Sequence, residues 1–214
     1  DDEIRSVVIA GRGASFSMGL DVSAFLQEHP ELADEASAED RYKTYRLIRK
    51  MQHGMQCVAH LSKPTVAAVH RHCIGAGLDL ISACDIRLAS SDAIISLREV
   101  KVAIVADMGS LQRLPHLIGE AATRELALTG KDIDAEQAKE MGLVTHVYDD
   151  QESLLEGSKQ MAREIAENSS FVLRGIKQTL ERNRHRTVEE AFEDVALQNA
   201  AFLHAAEFKE LVDK

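Results

Sequence analysis

Thr65-Val66-Ala67-Ala68-Val69-His70-Arg71-His72-Cys73-Ile74-Gly75-Ala76-Gly77-Leu78-Asp79-Leu80 is the stretch that decides the fold. From Thr65 to Val69 the residues are small or β-branched, as in a strand covered on both faces. Gly75 and Gly77 then make a tight turn that opens a helix through about Ala83. A buried strand feeding a helix through a glycine turn is the repeating unit of an α/β protein with parallel strands. One acid, Asp79, stands inside this apolar run. Carboxylates are seldom buried without a partner or a task.

Working outward, Lys63-Pro64 ends a preceding amphipathic helix, Glu39 to Leu61, whose apolar positions are Tyr42, Tyr45, Ile48, Met51, Met55, Val58 and Leu61. Ile4 to Ala10 reads as a buried strand, residues 11–19 as a small-residue loop, and residues 28–38 as a mobile polar loop. Downstream, Asp85 to Ala89 and Ala93 to Leu97 read as short strands, residues 98–108 as a loop, and Gly109 to Ile118 as a helix. Asp134-Ala135-Glu136-Gln137 has the form of a capping box and starts a helix that Gly142 ends. Leu143 to Tyr148 is the last strand, and the chain after Asp150 is helical, with a second capping box at Thr187 to Glu190. The alternation predicts an α/β core over residues 1–150 and a C-terminal helical segment over 151–214 that serves oligomerisation.

The 214 residues are 45% hydrophobic and 28% charged, enough for one sizeable core. The formal net charge of −10 disfavours nucleic acid as a partner. No apolar run approaches the ~20 residues of a membrane-spanning helix. Cys57, Cys73 and Cys84 form no C-x-x-C pair, which argues against a disulfide scaffold or zinc site and for a reducing compartment. The nine histidines lack metal-ligand spacing, so no metal is expected. Asp85 and Arg87 read as structural, and the basic run Arg182–Arg186 as a solvated helix end. The chain begins at Asp1 without Met, close to its first strand, and reads as a fragment lacking its natural start.

Three carboxylates, Asp79, Glu99 and Asp107, lie in largely apolar sequence. If they converge on one water-poor pocket they raise one another's pKa, which is the physics of proton transfer at neutral pH. Two glycine turns, at 11–19 and 75–77, each follow a strand. They are either ordinary strand-to-helix turns or a pair of backbone N–H donors for a carbonyl oxygen. A dinucleotide fingerprint is disfavoured. Leu80 stands at the third glycine position, and Asp79 would put a negative charge where a pyrophosphate should sit.

Together these pieces resemble the crotonase (enoyl-CoA hydratase/isomerase) superfamily. The resemblance rests on Gly13-Ala14-Ser15-Phe16-Ser17-Met18-Gly19-Leu20-Asp21, Lys63 to His70, Cys73 to Leu80, and Cys84-Asp85-Ile86-Arg87-Leu88-Ala89. It continues through Gln112-Arg113-Leu114-Pro115, Ala127-Leu128-Thr129-Gly130-Lys131 and Ala138 to Val144. It implies a spiral of ββα units, an acyl-CoA thioester as substrate and partner, no separate cofactor, and homotrimers or homohexamers. It places the oxyanion-hole amides at Leu20 and Ala76, where the family usually has glycine at the second position. It places substrate contacts at Met18, Asp21, Val22, Ile74, Gly75, Arg98, Val105 and Ala106.

Hydratases of the superfamily carry two glutamates at the positions of Asp79 and Glu99 and usually glycine at that of Asp107. The third acid, within Lys101 to Pro115, is similar to the branch that converts 3,5-dienoyl-CoA to 2,4-dienoyl-CoA. The resemblance assigns deprotonation to Asp107, reprotonation to Glu99, and tuning of Glu99 to Asp79. The residues alone support a two-acid relay without saying which acid performs which step. The alternatives are an enoyl-CoA hydratase and a non-catalytic binding member. The compartment implied is the cytoplasm for a bacterial protein and the mitochondrion or peroxisome for a eukaryotic one. The terminal Val212-Asp213-Lys214 is not a peroxisomal address.

Overall fold

Strand β2 (Thr65–Val69) is buried along its whole length, because its two faces meet two different packing partners. Ala67 and Val69 join a large apolar cluster with Leu78, Ile81, Ile95, Leu114 and Leu143, while Val66 and Ala68 pack with Leu88 and Leu154 on the opposite side. That period-2 division is what a run of small and β-branched residues permits in a sheet covered on both faces. The structure, a computed structural model, describes residues 1, 3–29, 37–202, 208 and 209.

In chain order the elements are β1 (Val7–Ala10), α1 (Val22–Glu28), α2 (Ala38–Ala59), β2, β3 (His72–Ile74), α3 (Ala76–Ser82), β4 (Ile86–Ser90) and β5 (Ile94–Ser96). There follow α4 (Ser110–Thr129), β6 (Asp132–Asp134), α5 (Ala135–Glu140), β7 (His146–Tyr148), α6 (Gln151–Ala166), α7 (Ser170–Arg182) and α8 (Val188–Phe202). One sheet has the order β1-β2-β4-β7 and the other β3-β5-β6. The first is parallel throughout, with Val66 opposite Ile86 and Ala68 opposite Leu88. In the second, β3 and β5 are parallel and β6 is antiparallel to β5. Each turn of the chain sends one strand to each sheet before a helix: β2 and β3 lead to α3, β4 and β5 to α4. This is the expected ββα spiral.

Several expectations need correction. The first strand is shorter than Ile4–Ala10 and only half-buried, because β1 is the outer strand of its sheet. The last strand is confined to His146–Tyr148, since Leu143 and Val144 donate instead to Ala138 O at 2.8 and 3.2 Å. Helix α4 continues past Ile118 to Thr129, broken at Gly119 (φ 80°, ψ 162°). Strands β3 and β6 and helix α1 were not anticipated. The mobile loop expected over 28–38 lies largely outside the described residues: Glu28 closes α1, Ser37 caps α2, and 30–36 are not described. Both capping boxes form, Gln137 N–H donating to Asp134 Oδ1 at 2.8 Å and Thr187 N–H to Glu190 Oε2 at 2.9 Å. Gly142 takes the left-handed conformation (φ 80°) expected of it. Helix α6 lies on the parallel sheet through Leu154. Among the described residues no helix is long and apolar enough to cross a membrane.

Candidate active site

The turn after β3 sets the geometry. Gly75 sits at φ 52°, ψ −115°, and its N–H donates to Ser96 O at 2.9 Å, tying the start of α3 to β5. A Cβ on Gly77 would lie 2.8 Å from Ser17 Cβ, so the first turn of α3 is pressed against the 11–19 loop. That loop is held in turn by Ser17 N–H donating to His72 O at 2.9 Å and Ile74 N–H donating to Ser17 O at 3.0 Å. Ser17 Oγ accepts from Gly19 N–H at 3.2 Å. The two loops named in the sequence as possible amide donors therefore meet. A Cβ on Gly19 would be 3.9 Å from Ala76 N. Among the described residues, the N–H groups of Leu20 and Ala76 donate to no protein acceptor. Ala76 keeps an ordinary φ, so its methyl leaves the amide in place. His70 and His72 brace the loop: His70 Nε2 is 3.1 Å from Gly13 O, and His72 Nδ1 is 3.1 Å from Ser15 Oγ.

Asp79, on α3, is 1% exposed. Its Oδ1 accepts the Ser110 N–H at 2.7 Å, a charge-assisted bond at the first residue of α4. Burial still raises its pKa above the ordinary carboxylate range, the Ser110 bond opposes the rise, and the Asp107 charge adds to it. Glu99 opens a short 3-10 turn, Glu99–Val102, that directly follows β5 and Arg98. Its pKa is also raised, first by burial and further by the charges of Asp79 and Asp107. Among the described residues, Glu99 Oε2 is buried with no hydrogen-bond partner. Asp107 precedes Gly109 (φ 121°), which enters α4, and burial raises its pKa too. Its backbone oxygen accepts from Gln52 Nε2 of α2 at 2.7 Å.

The three acids interact electrostatically, and Glu99 and Asp107 each line a different one of two cavities. Glu99 lines a cavity of about 400 Å³ walled mainly by apolar groups, among them Leu97, Ile104, Ala106, Leu111 and Leu128. Asp107 lines a polar cavity of about 660 Å³ between α2, the start of α4 and the end of α7, with Arg49, His53, Arg113 and Arg184 on its walls. Neither of these two cavities is lined by Leu20 or Ala76.

The remaining candidates divide. Val105 and Ala106 line the apolar cavity, although Val105 is 76% exposed overall. Ile74 and Gly75 are buried in the turn itself. Met18, Leu20 and Val22 form an exposed apolar edge beside it. Asp21 caps α1, accepting the Ala24 N–H at 2.9 Å. Arg98 is paired with Asp132 and so anchors the segment that carries Glu99. Asp85 and Arg87 are structural as expected: Asp85 meets Lys177 Nζ at 2.7 Å, and Arg87 donates to Leu143 O at 2.7 Å. Arg113 and Gln52 were not singled out. The available signal was an arginine flanked by Leu111, Leu114 and Pro115 in the first turn of a helix. Among the described residues no cluster of three His, Cys, Asp or Glu side chains is placed to hold a metal.

The chain is similar to known proteins in sequence and in fold. Residues 1–213 match the family described as Enoyl-CoA hydratase/isomerase. A mitochondrial Delta(3,5)-Delta(2,4)-dienoyl-CoA isomerase of Dictyostelium discoideum is 41% identical over 210 residues, covering 98% of this chain and 72% of that protein. A peroxisomal protein of the same name from Arabidopsis thaliana is 36% identical, covering 98% of this chain and 76% of its own. Among solved structures, Pseudomonas aeruginosa DspI superposes with a TM-score of 0.88 at 26% identity, covering 100% of this chain and 77% of that one. An enoyl-CoA hydratase from Bacillus anthracis gives 0.86 at 28% identity, with 98% and 77% covered. A match across nearly every residue, together with the spiral fold, shows that the chain belongs to the enoyl-CoA hydratase/isomerase family.

Proposed function

We propose that this chain is an isomerase that converts 3,5-dienoyl-CoA to 2,4-dienoyl-CoA. The observation that carries the proposal is the contrast between the two outer acids. Glu99 is in apolar surroundings with a buried, unpartnered oxygen, which favours the protonated form. Asp107 faces a polar cavity with three arginines among its lining residues, although burial raises its pKa as well. The two acids thus stand in different surroundings, apolar at Glu99 and polar with arginines at Asp107, the kind of contrast that a two-acid relay uses.

In the proposed reaction the thioester oxygen lies on the Leu20 and Ala76 amides. Asp107 takes a proton from C2, and the electrons of that C–H bond form the C2–C3 double bond. The C3–C4 pair moves to C4–C5, and the C5–C6 pair takes the proton of Glu99 at C6. Nothing is gained or lost, so the product has the mass of the substrate. Negative charge on the thioester oxygen in the dienolate meets two amide hydrogens, each worth roughly 2.7–4 kcal/mol of barrier in comparable sites. The apolar cavity beside Glu99 suits the acyl tail beyond C6. The chemistry uses no metal or redox cofactor, coenzyme A being part of the substrate.

The relatives named mitochondrial and peroxisomal support an organellar setting in a eukaryote, with the cytoplasm the counterpart in a bacterium. A homotrimer or homohexamer, built through the helices after residue 150, is part of the same proposal. Hydration of an enoyl-CoA is the second reading. It is favoured by the Asp79 and Glu99 pair and by a 35% identical relative from Thermus thermophilus named a putative enoyl-CoA hydratase. One assay separates the two. With a 3,5-dienoyl thioester the isomerase creates conjugated dienoyl absorbance without added mass. A hydratase removes enoyl absorbance and yields a 3-hydroxyacyl product 18 mass units heavier, the mass of one water.

A further inference from the structure

Arg113 is a buried charged side chain beside the acids that the proposed relay does not use. It is 7% exposed, and among the described residues it forms no ion pair within 4 Å. Its Nη1 donates to Met108 O at 3.4 Å, and its own N–H donates to Gly109 O at 3.0 Å. A Cβ on Gly109 would collide with Nη1, so the guanidinium lies close against that glycine. Gly109 at φ 121° makes the approach possible. The side chain thus folds back over the two residues that follow Asp107. On the same helix, three residues earlier, Ser110 N–H holds Asp79.

We propose that Arg113 is a positioning residue for proton transfer: its buried guanidinium clamps the Met108–Gly109 turn that aims Asp107, and it supplies the counter-charge for Asp79. This inference rests on the proposed isomerase reading. Burying a guanidinium without a paired carboxylate is costly and needs a return. Here the return is electrostatic. The positive charge of Arg113 lowers the pKa of Asp79, limiting the rise caused by burial. Negative charge on Asp79 in turn adds to the rise that burial imposes on the pKa of Glu99. The charge also stands on the wall of the cavity that Asp107 faces.

Other groups around Arg113 bear on its titration. From α7 and the turn after it come Glu181, which favours the cation, and Arg184, which opposes it. Asp79 on α3 and Cys84 beyond it favour the cation as well. Arg49 and His53 of α2, His60 just after it, and His116 of α4 share the cavity wall. The net result is a guanidinium whose pKa is lowered by burial, in a range where arginine stays charged at any working pH.

The test is the pH dependence of kcat/KM for Arg113→Gln and Arg113→Lys beside the unmodified chain. Loss of the charge in Arg113→Gln should move the acidic limb upward by about one pH unit, a roughly tenfold loss on that limb. Arg113→Lys keeps the charge and loses the fork, so its limb should stay in place while kcat falls several-fold. Equal loss in both variants with an unmoved acidic limb would overturn the proposal, leaving only a packing role. Should Arg113→Gln fail to fold, Arg113→Lys decides alone, and a shifted limb there counts against the inference. If the unmodified chain turns over no 3,5-dienoyl-CoA, the isomerase reading is what fails. Carbon-detected NMR titration of the Asp79 carboxyl, without substrate, then gives the answer: Arg113→Gln should raise its midpoint, and an unchanged midpoint rejects the role.

Discussion

At the scale of single residues, the two outer acids differ in a way that kinetics can resolve. If Asp107 is the base and Glu99 the acid, each half of the reaction can be lost separately. Asp107→Asn should lower kcat by roughly 10²–10⁴-fold, the usual worth of a general base, and abolish exchange of the C2 hydrogen with deuterated water. Glu99→Gln should lose isomerisation to a similar extent yet still exchange at C2, because deprotonation survives when reprotonation at C6 does not. Mass spectrometry of recovered substrate checks this, and exchange in the Asp107 variant with none in the Glu99 variant would reverse the assignment. Glu99 also carries a stability signature. Its folded pKa is raised by burial, so it binds its proton more tightly than in the unfolded chain. Below the unfolded value, about pH 4.3, both states are protonated and nothing is lost. As pH rises through the folded value, the unfolded chain gains more by ionising and stability falls. Glu99→Gln should therefore raise Tm at pH 8.5 and leave it nearly unchanged near pH 4, as read by calorimetry.

At the scale of elements, function depends on how closely α3 approaches the loop before α1. Gly77 has an ordinary φ, so any penalty for a side chain there is steric. A methyl at that position meets Ser17 Cβ at 2.8 Å and must push the two amide-bearing loops apart. Gly77→Ala is expected to reduce kcat by about tenfold to a hundredfold, since displacement near 1 Å carries that penalty. Ala76→Gly, which leaves the backbone alone, should stay within a few-fold of the parent; parallel kcat and thermal-melt measurements separate misplacement from unfolding. These elements also show what sequence makes legible. The Thr65–Val69 strand, the turn at 75–77, the capping boxes and the Gly142 cap are local, written in composition and spacing within a few residues. Strands β3 and β6 are three residues each and exist through pairing with β5, which no local pattern announces. The break in α4 at Gly119 was read as an end, because Pro115 and Gly119 signal interruption and say nothing of resumption. The acids were legible as misplaced charges in apolar sequence. The partition between their two cavities was not, since α2, α4 and α7 come from distant parts of the chain.

At the scale of the whole molecule, the C-terminal helices leave apolar surface without cover. Val172, Ile176 and Leu180 recur at a spacing of four along α7 and are each more than half exposed. Phe192 and Leu197 on α8 are likewise exposed. Single exposed apolar residues are ordinary, but a stripe along one helix marks an interface when the rest of the surface is charged. Net charge −10 would keep separate copies soluble and apart, so association must come from apolar burial strong enough to overcome that repulsion. The proposed homotrimer or homohexamer would supply such burial, and a closed ring of identical contacts would cover the stripe without open-ended growth. Light scattering after size exclusion should give a mass of three or six chains. Replacing Ile176 and Leu180 together by Glu should reduce it to one chain, with helical circular dichroism retained, because neither side chain belongs to the buried core. A monomeric parent, or an unchanged mass in the double variant, would place the contact elsewhere. Arg184 follows α7 directly and lines the cavity that Asp107 faces, so loosening this helix should also weaken turnover, tying assembly to the proton-accepting side of the site.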